Sequence, residues 1–95
     1  MVDVQSWKEI KNSLKRGTKL RGVVTKHFPF GIFVALPENN FTGLVGIPDF
    51  KDEGIMTPLL YPAVGSSVDV VVLAFKDGGQ QIWLGMKPSQ LYQSK

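Results

Sequence analysis

The apolar positions of this chain follow a helical period near the N-terminus. Three apolar side chains are separated by three and four residues: Trp7, Ile10 and Leu14. This spacing places them on one face of an α-helix. Ser6 and Glu9 fit a capping box at the start of such a helix, and Gly17 is suited to its end. The pattern therefore predicts a helix spanning roughly residues 7–15 that packs on the rest of the protein through Trp7.

From Thr18 onward the pattern changes to β-branched and aliphatic residues interrupted by turn residues. Five such runs predict strands: Leu20–Thr25, Gly31–Leu36, Phe41–Ile47, Val68–Phe75 and Gln81–Met86. In the fourth strand, alternation predicts that Val68, Val70, Val72 and Ala74 face the same way. Pro37–Asn40 and Asp77–Gly79 read as turns between neighbouring strands.

Residues 48–66 interrupt this pattern of predicted strands. Prolines and glycines recur through the segment, which predicts a loop with one helical turn. Five short strands with a long interruption after the third suit a small Greek-key barrel, because closing the sheet removes its exposed edges. We predict an all-β fold, a five-stranded Greek-key OB-fold barrel with a short N-terminal α-helix. Residues 1–16 would form a helical extension and residues 17–88 the barrel domain, while Pro88 closes the ordered part and residues 89–95 form a frayed tail.

The composition limits the kinds of site that this chain can form. The chain has 95 residues, no cysteine and one histidine, so one domain is expected and disulfides, thiolate metal sites and thiol catalysis are excluded. We expect no metal or other cofactor and no enzymatic activity, because the sequence shows no nucleophile–base pair. Asp49, Asp52 and Glu53 lack metal-ligand spacing and are interpreted as a solvated loop. No apolar run reaches the length of a membrane helix, and a soluble, cytoplasmic protein is predicted.

Charge is distributed unevenly along the chain. The net charge is +3, but residues 1–27 carry seven basic residues against two acidic ones, and residues 28–95 carry four against six. A basic N-terminal third on a slightly acidic body suggests a surface that attracts phosphates. An ordinary solvated helix, rich in lysine for solubility, is the alternative explanation.

Three phenylalanines lie close together in the segment F-P-F-G-I-F-V: Phe28, Phe30 and Phe33. A domain of this size cannot easily bury three rings at one strand junction, so some should remain at the surface, where nucleic-acid bases stack. The alternative is that all three close one end of the barrel. His27 adjoins this cluster and is interpreted either as a contact to a base or phosphate or as a structural histidine.

Several motifs in this order resemble the RNA-binding domain family named after ribosomal protein S1. The resemblance runs from about Gly17 to Lys87. The segment beginning at Gly17 is similar to the family's G-x-x-x-x-G-x-V, Phe30–Val34 to its F-G-A-F-V, and Gly43–Ile47 to its G-L-V-H-I. Downstream, residues 63–68 resemble its V-G-x-x-V, and residues 83–87 stand where R-L-S-x-K usually does.

The resemblance implies a binding face with two aromatics, a histidine, an acid and a base. The aromatics correspond to Phe30 and Phe33, and the acid to Asp77. Gly46 occupies the histidine position and Gln81 the arginine position, so one ring and one cation are missing.

Alternation in the last predicted strand offers a partial replacement for the missing ring. If Ile82 and Leu84 face the core, Trp83 is turned outward together with Gln81. Trp83 then either lies beside the binding face or covers the N-terminal helix and pairs with Trp7.

The function predicted from these features is a non-enzymatic module that binds single-stranded RNA with little sequence specificity. Bases would stack on Phe30 and Phe33, while Lys19, Arg21 and Lys26 meet phosphates. The further candidate site residues are His27, Phe28, Asp77, Gln81 and Trp83. Single-stranded DNA, the ribosome and RNA-processing proteins are further candidate partners. The alternative is an OB-fold domain for protein–protein interaction that uses the same aromatic patch.

Overall fold

The computed structural model describes residues 4–36, 41–51 and 54–91. Its helices and strands are α1 (Val4–Ser13), β1 (Lys19–Phe28), β2 (Gly31–Leu36), β3 (Phe41–Gly46), β4 (Ser67–Lys76), β5 (Gln81–Gly85) and α2 (Pro88–Leu91). The long connection between β3 and β4 contains two 3-10 turns, Ile47–Asp49 and Pro58–Leu60, where the sequence predicts one helical turn. The predicted turn at residues 37–40 lies outside the described residues.

The strands form a closed barrel in the order β1-β2-β3-β5-β4. β3 and β5 are parallel, and the other neighbours are antiparallel. β1 pairs with β4 through its first half and with β2 through its second half, which closes the sheet. The predicted five-stranded OB-fold barrel with an N-terminal helix is confirmed.

Aliphatic side chains from all five strands fill the barrel. Their alternation along each strand is the period of two that the pleat imposes. Eight of them are at most 1% exposed: Val24, Ile32, Val34, Val45, Val70, Val72, Ile82 and Leu84. Burial of this apolar surface is the main stabilising contribution to the fold.

Two β-bulges change which way the side chains face. The register shifts between Val24 and Lys26 in β1 and between Val72 and Ala74 in β4. After the second bulge, Ala74 lies opposite Trp83, whose side chain faces outward. The prediction that Ala74 faces the core with the valines is therefore wrong, because the extra residue in the bulge reverses the alternation.

Helix α1 closes one end of the barrel. Trp7, Ile10 and Leu14 are buried in the core cluster, as their spacing predicts. The helix starts at Val4 and ends at Ser13, so Ser6 lies inside its first turn and the predicted capping box at Ser6 is wrong. Gly17 adopts φ +90°, a conformation that favours glycine, and its N–H donates to the Val72 carbonyl at 2.8 Å.

The chain remains ordered beyond Pro88. Residues 88–91 form α2, and Leu91 is buried against the body. The prediction that Pro88 closes the ordered part is therefore wrong. Proline is tolerated in the first turn of a helix, and the buried Leu91 side chain packs this helix against the body. Residues 92–95 lie outside the described residues.

Candidate nucleic-acid interface

A row of side chains crosses the outside of the barrel. The strand register places Lys26 opposite Phe33, Phe33 opposite Leu44, and Leu44 opposite Trp83. Leu44 faces outward because its neighbour Val45 is in the core. It is nevertheless only 4% exposed, which we attribute to cover by the aromatic side chains on both sides. Residues distant in sequence thus form one continuous surface.

The three phenylalanines form a cluster at one end of this row. The rings of Phe28 and Phe30 stack with centroids 4.9 Å apart and planes 18° apart. Phe28 and Phe33 meet edge to face at 4.7 Å. Phe30, at the β1–β2 connection, is 54% exposed. We call Phe28, Phe30, Phe33 and Trp83 the aromatic face.

Trp83 lies on the outer surface beside Gly46 and does not pair with Trp7. Its Cζ3 atom is 3.9 Å from the point that a Cβ at Gly46 would occupy. The ring contacts of Trp7 are instead with Phe41 and Phe75, at centroid distances of 6.1 and 5.8 Å. Of the two interpretations of Trp83, the geometry supports the one that places it beside the phenylalanine cluster.

His27 is exposed but has structural partners. Its Nε2 lies 2.7 Å from the carbonyl oxygen of Pro62, so the ring N–H donates to that acceptor. Its ring also meets the ring of Tyr61 at 5.1 Å. The Tyr61 hydroxyl donates to the carbonyl of Phe28 at 2.7 Å, and burial raises the pKa of this hydroxyl. Both contacts tie the β3–β4 connection to the strand end that carries the phenylalanine cluster.

The three basic residues predicted to meet phosphates lie in different halves of β1. Lys26 lies with the aromatic face, and its Nζ is 5.2 Å from the centroid of the Phe28 ring. Lys19 and Arg21 lie in the half of β1 that pairs with β4. Arg21 forms an exposed ion pair there, with its Nε 3.1 Å from Oδ1 of Asp69. Of these three cations, Lys26 is the one that the structure brings to the phenylalanine cluster.

Residues 13–87 match the model of the S1 RNA binding domain family. This chain belongs to that family. The S1 domain is 28% identical over 85 residues to the small ribosomal subunit protein bS1 of Chlamydia muridarum, covering 88% of this chain and 15% of that protein. It is 25% identical over 95 residues to the Helicobacter pylori bS1, covering 94% and 17%. The chain thus spans less than one fifth of the length of these relatives.

Solved structures share the fold of this S1 domain. The solution structure of GSP13 from Bacillus subtilis matches with a TM-score of 0.70 and 30% identity, covering 86% of this chain and 62% of that one. Mycoplasma genitalium RNase R, in complex with ribose methylated single-stranded RNA, matches with a TM-score of 0.67 and 16% identity, covering 85% and 14%. At 16% identity, the similarity to RNase R shows a shared fold and nothing more.

At the position of the family histidine, the S1 domain has a backbone that accepts a side chain. Gly46 has φ −77° and ψ 159°, which any residue adopts. A Cβ there would make ordinary contacts, the nearest with Cδ of Pro48 at 3.7 Å. Gln81, at the arginine position, is partly exposed and pairs with Lys76 across β4 and β5.

Asp77 joins the β4–β5 turn of the S1 domain to helix α1. Its Oδ1 accepts hydrogen bonds from Nε1 of Trp7 at 2.8 Å and from Nζ of Lys11 at 2.6 Å. The hydrogen bond from Lys11 and that from Trp7 lower the pKa of Asp77 below its ordinary 3.8. The predicted acid of the binding face is therefore engaged in holding the helix.

These contacts predict a pH-dependent effect of Asp77→Asn on stability. Because the folded-state pKa is lowered, the contribution is complete at pH values above 3.8 and is lost as pH falls through the folded-state pKa. We expect Asp77→Asn to unfold at lower denaturant concentration than the wild type at pH 7, with the difference shrinking towards pH 2. A double-mutant cycle with Lys11→Met isolates the pair, and a pH-independent difference would contradict this assignment.

Sequence reasoning missed Asp49, which the fold brings to the edge of the aromatic face. Its Oδ2 lies 3.9 Å from the Cβ position at Gly46, as does Cζ3 of Trp83. The available signal was its place three residues after Gly46, because a residue a few positions past a strand end lies near the edge of the sheet. The acidic neighbours of Asp49 favoured the interpretation as a solvated loop.

Within the described residues, no group of three or more histidine or acidic side chains is placed to hold a metal ion. Over the same ranges, none of the helices has the length and apolar character needed to cross a bilayer.

Proposed function

We propose that this S1 domain is a non-enzymatic module that binds single-stranded RNA. The observation that carries the proposal is the aromatic face: the partly exposed rings of Phe33 and Trp83 lie in one row with Lys26 across the sheet. The exposed ring of Phe30 stacks on Phe28 at the end of that row. Bases stack on such rings, and a nearby ammonium group contacts the backbone phosphates.

The order of the contacts follows from the strand register. Phe30 offers the most exposed ring of the phenylalanine cluster, and Phe33 lies two strands from Trp83. Successive bases of an extended strand would stack first on the phenylalanine cluster and then on the indole. Stacking accepts every base, so these contacts confer little sequence specificity. Single-stranded DNA would bind the same rings.

Phe33→Ala tests the stacking role. We expect it to weaken binding to a uridine decamer by ~1–3 kcal/mol, the value of one lost stack. The melting temperature should fall less than for a core truncation, because Phe33 is partly exposed and its loss uncovers only Leu44. Leu59→Ala is the matched control, since Leu59 is 95% exposed and lies in the β3–β4 connection. A large fall in melting temperature with unchanged RNA affinity would place Phe33 among the structural residues.

Salt dependence separates RNA binding from the protein-interaction alternative on the same aromatic patch. Phosphate contacts release counterions, so log K falls linearly with log salt with a slope of roughly −0.7 for each neutralised phosphate of a single strand. Lys26→Gln should reduce the magnitude of this slope by about that amount. Binding to RNA that is insensitive to salt would remove the phosphate contacts from the proposal.

The ribosome is the cellular partner that we propose for this S1 domain. The relatives bS1 of Chlamydia muridarum and Helicobacter pylori are small ribosomal subunit proteins, which supports the ribosome as a candidate partner and a cytoplasmic location. RNA-processing proteins are the further candidates. The division into residues 1–16, 17–88 and 89–95 remains a prediction. The burial of Trp7 and Leu91 shows that the segments on both sides of the barrel pack against it.

A further inference from the structure

Asp49 presents a carboxylate at the edge of the aromatic face. It closes the 3-10 turn Ile47–Asp49 that follows β3. One of its oxygens, Oδ2, and the Cζ3 atom of Trp83 flank the same point, each 3.9 Å from the Cβ position at Gly46. A base that stacks on this indole would therefore bring its edge towards the carboxylate.

The carboxylate is held by the C-terminal part of the chain. The Gln90 side chain in α2 donates from Nε2 to Oδ1 at 3.2 Å. The backbone N–H of Met86 donates to the Asp49 carbonyl at 2.8 Å. An acceptor oriented in advance loses little entropy when a ligand binds. Since each carboxylate oxygen has two lone pairs, Asp49 can accept further hydrogen bonds while Gln90 remains bound.

The charge of Asp49 limits what it can contact. Lys11–Asp77 and Arg21–Asp69 are ion pairs, whereas Asp49 forms none within the part of the chain that the structure describes. A carboxylate without a cation repels phosphate groups and accepts N–H or O–H donors. On a surface that receives RNA, the suitable donors are base edges and ribose 2′-hydroxyls.

We propose that Asp49 is a specificity-determining residue that accepts hydrogen bonds from the Watson–Crick edge of a guanine stacked on Trp83. This rests on the proposed RNA-binding function and adds one base-reading position to an otherwise sequence-tolerant surface. Guanine offers two adjacent donors, N1–H and the N2 amino group, to a carboxylate. Adenine and cytosine offer one amino group and uracil one imino N–H, so guanine matches this acceptor best.

The experiment measures binding of uridine nonamers whose central base is uracil, guanine or hypoxanthine. The wild type should bind the guanine nonamer about tenfold more tightly than the uridine nonamer, as a bidentate base contact provides. Hypoxanthine, which lacks the N2 amino group, should fall between them. Asp49→Asn preserves the shape but replaces one acceptor oxygen by a donor, and should reduce the preference to about twofold.

Asp69→Asn is the matched control, because it removes the same charge from β4 beside Arg21. It should leave the guanine preference unchanged, and melting temperatures establish that both variants are folded. Equal wild-type affinity for the three nonamers would overturn the role of Asp49 while leaving the proposed function intact. No binding to any nonamer would instead overturn the proposed function. The same three nonamers are also measured as DNA. If Asp49→Asn weakens binding of all RNA nonamers equally and leaves binding of the DNA nonamers unchanged, the carboxylate contacts the 2′-hydroxyl, and the proposal that it recognises guanine is overturned.

Discussion

Replacing Trp7 with alanine is expected to lower the free energy of unfolding by about 3–5 kcal/mol, the usual cost of deleting a buried tryptophan side chain. Trp7 is 4% exposed and meets Phe41 and Phe75 through its ring. The truncation would leave a cavity at the end of the barrel and remove the hydrogen bond to Asp77. Chemical denaturation at pH 7 measures the change.

Two variants on the same helix calibrate this result. Trp7→Phe keeps most of the ring volume but loses the indole N–H, so it should lose a smaller part of the stability. Lys8→Ala changes an exposed position and should stay within about 0.5 kcal/mol of the wild type. A loss below about 1 kcal/mol for Trp7→Ala would mean that α1 is a dispensable appendage, contrary to its burial in the core cluster.

The second large effect is a gain of affinity when the missing family residues are restored. Gly46→His combined with Gln81→Arg should tighten binding to a uridine decamer by about 3 kcal/mol, roughly a hundredfold, through one stack and one charge-assisted contact. The backbone at Gly46 accepts a side chain, and a Cβ there makes ordinary contacts with Pro48 and Trp83. Isothermal titration at two salt concentrations would also show a steeper salt dependence in the double variant.

The strand pairing supplies two controls for this gain of affinity. Arginine at position 81 would lie opposite Lys76, and like charges in direct cross-strand pairs are destabilising, so stability must be measured in parallel. Ser67→Arg adds the same charge where β4 pairs with β1 and should have a much smaller effect on affinity. Because one stack and one charge-assisted contact are missing, we expect the unmodified domain to bind the decamer weakly. Submicromolar binding would contradict this expectation. It would mean that Trp83 and Lys26 already replace the missing histidine ring and arginine charge.

The expected weak binding of a single domain has a consequence for function. The chain spans 15% and 17% of the bS1 relatives, so most of the sequence of these relatives lies outside the matching region. A tethered neighbour, a dimer or a partner protein raises the effective concentration at the RNA and offsets weak individual contacts. Affinity measured on a linked pair of these domains should therefore exceed that of one domain without any new contact.

The local patterns of the sequence are sufficient for the elements and the barrel. The apolar spacing of Trp7, Ile10 and Leu14 predicts the buried face of α1, and Ile82 and Leu84 predict the inward face of β5, as observed. Such patterns are local consequences of the periods of 3.6 and two residues. The resemblance to S1 domains likewise depends on short motifs in a fixed order, and the family match confirms it.

Tertiary structure alone decided where the side chains of the candidate site lie relative to one another. The bulge after Val72 reverses the facing of Ala74, and no local pattern marks it because a bulge depends on the partner strand. The parallel pairing of β3 with β5 brings Trp83 to Gly46, and the turn after β3 adds Asp49 to the same edge. Arg21 lies in the half of β1 that pairs with β4, and Lys26 lies in the half that pairs with β2, although both belong to one strand. Sequence thus determined the number, order and approximate bounds of the strands, although β1 extends three residues beyond its predicted end, to Phe28. Long-range pairing and barrel closure determined which residues share a surface.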